Sequence, residues 1–179
     1  MVRDWIGWRW SQSPSFASMR HRRSIRLGWY DYRWSGWYFI TAVTHERQPV
    51  FAERQGTDLT LTNLGRLVDH VWAEIPRHFR HVSIDAFVIM PDHIHGIVVL
   101  HGVPRSPAAA GLRVSSGSLA AVVRSFKAAV SRRAGDHELH TGLLWQRNYF
   151  ERIIRDERSL IRVRQYIADN PAEWLRRNR

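Results

Sequence analysis

The stretch IMPDHIHGIVVL, residues 89–100, sets two histidines around one isoleucine inside a run of strand-forming aliphatics. Side chains of a strand alternate faces, so His93 and His95 point the same way with their Cα atoms roughly 6.5–7 Å apart. Two imidazoles so placed can share a metal ion. The plainer alternative is a pair of hydrogen-bonding residues on a half-buried face, because the chain holds ten histidines. If a metal-assisted site acts on phosphorus without Cys, the attacking group is activated water or a hydroxyl, and tyrosine can serve covalently. Tyr30, Tyr32 and Tyr38 lie in or near one predicted strand and Tyr149 in another, where aromatic packing is the default role. Tyr166, in RVRQYIADNPAEW, stands beside the apolar stripe of a predicted helix, with Arg162 one turn before it and Asn170 one turn after. That face suits phosphate chemistry; a tyrosine covering the edge of the core is the ordinary reading. Asn170 is contested as well, since Asn170-Pro171-Ala172-Glu173 reads as the cap of a short further helix with Pro at N1 and Glu at N3. Capping and metal ligation both need the same side-chain oxygen.

The elements that must carry these residues follow from hydrophobic periodicity. GWYFITAVT (36–44) has strand composition. Leu64, Leu67, Val68, Val71, Trp72 and Ile75 form a helical stripe, with Thr62 or Asn63 to cap it and Pro76 to close it. VSIDAFVIM (82–90) and HIHGIVVL (93–100), separated by Pro91-Asp92, predict adjacent antiparallel strands. Residues 101–118, rich in Gly, Pro, Ala and Ser, predict a flexible crossover loop. Leu119, Val122, Val123, Phe126 and Val130 predict a second helix whose other face carries Arg124, Lys127, Ser131, Arg132 and Arg133. NYFERII (148–154) is strand-like, and Asp156 can cap a helix buried through Leu160, Val163 and Ile167. The order β-α-β-β-α-β plus a C-terminal helix predicts an α+β, ferredoxin-like (split βαβ) fold: a four-stranded antiparallel sheet with two helices on one face.

A chain of 179 residues with 44% apolar content suits one globular domain. Residues 1–26, with Trp5, Trp8 and Trp10 among arginines, read as a mobile basic arm ahead of a domain at 27–179. No run approaches about 18 uninterrupted apolar residues, so no membrane partner is expected. Zero Cys excludes disulfides and thiolate chemistry and fits a cytoplasmic setting. The net charge of +11 favours a polyanionic partner, nucleic acid first, because each phosphate contact releases counterions. Lys127 is the single lysine among 27 basic residues; Arg offers a fork for phosphate and a face for bases, although base-composition bias produces the same ratio.

SIRLGWYDY (24–32), GWYFITAVT, FVIMPDHIHGIVV (87–99), VVRSFKAAV (122–130), LWQRNYFERIIRDERSL (144–160) and YIADNP (166–171), in that order, resemble the HUH single-tyrosine transposases, in particular the REP-associated tyrosine transposases. The resemblance covers residues 22–175. It implies that His93 and His95 hold a divalent metal, Mg²⁺ or Mn²⁺, with Asn170 as third ligand. It implies that Tyr166 attacks single-stranded or hairpin DNA to leave a 5′-phosphotyrosyl enzyme and a free 3′-OH, in DNA transposition and recombination. Arg124, Lys127, Arg132 and Arg162 are then the candidate DNA-binding residues, and a bacterial, nucleoid-associated location follows. Monomer and homodimer both stay open, since relatives include dimers that exchange the tyrosine helix. Asp92 stands where relatives often have Asn, placing a carboxylate beside the metal site. The alternative is a catalytically inactive ferredoxin-like module that binds structured DNA or RNA.

Overall fold

Residues 36–43 are dense in aromatic and β-branched side chains, and in the computed structural model, which describes residues 35–102 and 117–178, they form the central strand β1 (Gly36–Val43). The expected arm at 1–26 and nearly all of the expected loop at 101–118 lie outside the described residues. A two-stranded hairpin follows β1, β2 (Ala52–Gln55) and β3 (Asp58–Leu61), turning at Gly56 with φ of 60°. Only glycine takes that angle without a Cβ penalty. The sequence reading missed this hairpin, although the QGTD turn between alternating residues signalled it.

Helix α1 (Asn63–Ala73) is capped by the Thr62 side chain, which accepts from the Gly65 amide at 3.0 Å. Pro76 does not simply end that helix: it occupies the first turn of a short helix α2 (Ile75–His78), where its missing N–H costs nothing. Strands β4 (Val82–Ile89) and β5 (His93–Leu100) pair antiparallel as expected, with a register irregularity between Ile84 and Phe87. Helix α3 (Leu119–Asp136) is capped by Ser118 and buries the predicted Leu119, Val122, Val123, Phe126 and Val130. The last strand, β6 (Phe150–Ile154), is shorter than NYFERII, leaving Tyr149 outside it. Helix α4 (Glu157–Arg177) is capped by Asp156, which accepts from the Ser159 amide at 2.8 Å.

The sheet order is β4-β5-β1-β6, all antiparallel, which is the ferredoxin-like arrangement. Both faces of the sheet are covered. On one, α1 and α3 pack over Tyr38, Ile40, Ile94 and Val98; Trp72 of α1 stacks on Phe87 at 4.3 Å and meets Phe126 of α3 edge-on. Gly96 of β5 lies beneath Trp72, where a Cβ would come within 2.5 Å of the indole. On the other face, Phe39, Ile97, Val99 and Ile154 receive Ile167, Leu160 and Val163 of α4. No helix among the described residues is long and apolar enough to cross a membrane.

One expectation is corrected here. Asn170 does not cap a new helix: α4 runs unbroken through Pro171 to Arg177. The tertiary setting overrides the proline, because the helix end lies along β3, with Pro171, Ala172 and Leu175 lining a 560 Å³ groove with Leu59, Leu61 and Ile89. Arg54 of β2 also donates to the Asn178 carbonyl at 2.7 Å.

Candidate active site

The site forms where the first residues of β5 meet α4 across the end of β1. Strand parity puts His93 and His95 on the α4 face, opposite Val43 and Thr41 of β1. Their ring centroids are 4.7 Å apart. His95 is buried, only 2% exposed, and sits against Phe39 with centroids 5.3 Å apart. Burial, with the His93 charge behind it, pushes the His95 pKa down to about 3, so the ring is neutral at physiological pH.

Each imidazole has a partner on Nδ1. The Thr41 hydroxyl lies 2.8 Å from Nδ1 of His95. An Asp92 carboxylate oxygen lies 2.6 Å from Nδ1 of His93, and the second oxygen accepts from Arg47 at 3.0 Å. Burial raises the Asp92 pKa, but its hydrogen bond from His93 and the neighbouring charges outweigh this and leave it below the usual carboxylate value. The Asp92 backbone is fixed too: its carbonyl accepts from both the amide and the hydroxyl of Thr44, each at 2.9 Å.

Ile167 anchors α4 in the core, and the residue before it, Tyr166, then turns its hydroxyl to 3.3 Å from Nε2 of His95. The phenol ring meets Phe39 edge-on at 5.9 Å. Burial raises the Tyr166 pKa, while hydrogen bonding with Asn170 works against that. The Asn170 amide nitrogen donates to the Tyr166 carbonyl at 2.6 Å, one turn back, so its oxygen is not consumed in a cap. Upstream on α4, Arg164 grips Asp85 of β4 with two bonds, at 2.8 and 2.7 Å, and lies over Trp37. That clamp sets the rotation of α4 two residues before the tyrosine.

His93, His95 and Tyr166 are therefore brought together, with Asn170 beside the tyrosine. Arg162 shares the Tyr166 side of α4 and donates to Ser159 at 2.9 Å. The pKa of Arg152 on β6 is lowered by burial and by the nearby Arg162 and Arg155, a crowding of positive charge where β6 leads into α4. Arg124 and Arg132 are exposed on α3, in the layer across the sheet. Lys127 does not stand out in solvent as expected: its ammonium donates to the carbonyls of Gln146 and Asn148, and burial lowers its pKa to about 8. Sequence reasoning missed Thr41 and Arg47, whose roles depend on which residues face each other across strands.

Two histidines whose Nδ1 atoms are engaged, with Nε2 of His95 met by the Tyr166 hydroxyl and an amide beside it, fit a divalent cation with open positions better than a closed structural site. Among the described residues no group of three or more His, Cys, Asp or Glu could hold a metal. A cation here would thus take further ligands from Asn170, substrate oxygen or water.

No protein-family model matches the chain. An uncharacterised protein of Haemophilus influenzae is 38% identical over 168 residues, covering 88% of this chain and 92% of that protein. Among solved structures, a REP-associated tyrosine transposase bound to a REP hairpin superposes with a TM-score of 0.60, 20% identity, and coverage of 85% of this chain and 74% of the other. A Deinococcus radiodurans protein described as a candidate transposase is 18% identical with a TM-score of 0.46, covering 84% of this chain and 99% of its own. The chain belongs to the same family as the Haemophilus influenzae protein, and its fold is that of the REP-associated tyrosine transposases.

Proposed function

We propose that the protein is a transposase-like enzyme that cuts and rejoins single-stranded DNA at hairpin or repeat sequences through a covalent bond to Tyr166. The observation that carries this reading is the 3.3 Å approach of the Tyr166 hydroxyl to His95, within a site that also holds His93. The fold shared with a transposase bound to a REP hairpin supports a hairpin substrate, and so does the net charge of +11.

In this reading His93, His95 and Asn170 hold one Mg²⁺ or Mn²⁺. When bound, the cation offsets charge on the nonbridging oxygens of the scissile phosphate. The Tyr166 oxygen attacks phosphorus, the bond to the 3′ oxygen breaks, and that oxygen leaves as a 3′-OH after taking a proton. The DNA 5′ end stays on Tyr166. Because the phosphotyrosine keeps the phosphodiester energy, the 3′-OH of the same or another strand can attack it and restore DNA without ATP. His95 is too weak a base to keep the tyrosine proton near neutral pH, and an Nε2 that held the cation could not accept it, so the proton of Tyr166 passes to water. Arg162 and Arg152 supply positive charge where the substrate backbone approaches.

The test is incubation with a labelled hairpin library and Mn²⁺, followed by denaturing electrophoresis. A covalent adduct is expected with the wild type and none with Tyr166→Phe. Equal adduct in both, or none with either, rejects the reading; hairpin binding that survives chelation and His93→Ala without any adduct would identify a binding module instead.

A further inference from the structure

We infer that Asp92 and Thr41 are positioning residues which hold His93 and His95 in the Nδ1–H tautomer, so that both Nε2 lone pairs face a single cation, with Arg47 setting the Asp92 carboxylate. The inference deepens the metal-assisted reading above and rests on it.

His93 gives the clearer half of the argument. An ionised carboxylate only accepts hydrogen bonds, so the 2.6 Å contact with Asp92 requires the proton on Nδ1. Nε2 then carries the lone pair. The neutral histidine side chain in water prefers the opposite tautomer, so this partner changes which nitrogen is ready to ligate. The carboxylate is held on every side: Arg47 binds its other oxygen at 3.0 Å, and Thr44 clamps the Asp92 carbonyl twice. Arg47 reaches Asp92 from a turn in which Glu46 and Arg47, neither a glycine, take φ of 53° and 56°. Two successive left-handed residues persist only where surrounding contacts over-determine them, and such strain gathers at functional sites.

His95 reaches the same state by other means. Thr41 faces it directly in the β1–β5 register, and its hydroxyl lies 2.8 Å from Nδ1. With the Nδ1 proton directed to the Thr41 oxygen, the Tyr166 hydroxyl, which can donate as well as accept, is the donor to Nε2, and the Nε2 lone pair lies on the side of the site. β5 supplies the histidines, β1 supplies Thr41, and the turn between β4 and β5 supplies Asp92, braced by Arg47 from the turn after β1. Outer partners of metal-ligating histidines act in this manner elsewhere, raising ligand basicity and fixing ring orientation.

The test uses the full-length, metal-free protein, ¹⁵N-labelled at histidine, at pH 7.5. Long-range ¹H–¹⁵N spectra read each tautomer directly, and Mn²⁺ titration calorimetry reads affinity. In the wild type both rings are expected as Nδ1–H. Asp92→Ala and Thr41→Val should each shift one ring toward Nε2–H and weaken Mn²⁺ binding by about 10–100-fold. Asp92→Asn, whose amide oxygen still accepts, should restore most of the tautomer. An Nε2–H ring at either position in the wild type overturns the inference, and so do variants that fold yet keep both tautomer and affinity. The readouts separate this from the function: Nδ1–H rings without any DNA adduct support it while rejecting the transposase reading. An adduct formed by a wild type with Nε2–H rings does the reverse.

Discussion

Replacing Gly96 with alanine tests the packing that holds His95 in place. The added Cβ would sit 2.5 and 2.6 Å from two atoms of the Trp72 ring and 3.1 Å from Phe87. Carbon atoms in contact prefer about 3.5–4.0 Å, so the indole or the strand must retreat by roughly 1 Å. The indole has little room: it is 3% exposed, stacked on Phe87 at 4.3 Å and held edge-on by Phe126 at 5.4 Å. Overpacking typically costs about 1–3 kcal/mol, and with three rings in the way the upper end is expected. For a chain of this size about 3 kcal/mol lowers the melting temperature by roughly 6–12 °C, readable by circular dichroism. The alternative escape moves β5 toward α4 and carries His95 with it, so metal affinity and adduct formation should fall beyond the loss of stability. Trp72→Phe removes the far ring atoms, and in that background Gly96→Ala should cost at least about 1 kcal/mol less. Melting within about 2 °C of the wild type, or full additivity of the two substitutions, would refute the packing argument.

Four further outcomes are expected. The folded-state pKa of His95, about 3, lies below its unfolded value of 6.5, so the unfolded chain takes the proton first. Its contribution to stability is complete above pH 6.5 and is lost as pH falls toward 3, with a slope approaching about 1.4 kcal/mol per pH unit. Denaturant midpoints of the metal-free protein should follow that window and flatten in His95→Asn. Asp85→Asn weakens the bidentate clamp on Arg164 and should lower adduct formation roughly ten- to a hundredfold through a misplaced Tyr166, with at most a small drop in melting temperature because the Arg164 partner is solvent-exposed. Lys127→Met should lower stability by about 1–3 kcal/mol, since the Gln146 and Asn148 carbonyls lose a donor. Arg124→Ala should instead leave melting unchanged and reduce the salt dependence of DNA binding by roughly 0.7–1 in log–log slope.

The parts of this molecule legible in sequence are those set by short-range periodicity. Alternation put His93 and His95 on one face, and the 3.6-residue stripe of Leu160, Val163 and Ile167 put α4 on the sheet with Tyr166 beside the buried row. The parts that were not legible depend on distant pairing. Thr41 is one of many strand residues until β1 registers against β5, 54 residues away. The Asn170-Pro171 cap was locally consistent, yet the surface beside β3 carried the helix through it. Lys127 fell on the outward side of an amphipathic pattern, but the segment 146–148 covers it, and periodicity says nothing of that cover.

The pairing of β1 with β5 has a further consequence. A slip of one residue along β1 would set the Thr41 hydroxyl among the hydrophobic side chains under Trp72 and turn an aliphatic neighbour toward His95. Correct threading of the two central strands thus sets the surroundings of His95 as well as the fold. A chain slipped in this way would lose the hydroxyl at Nδ1 of that ring while keeping its sheet.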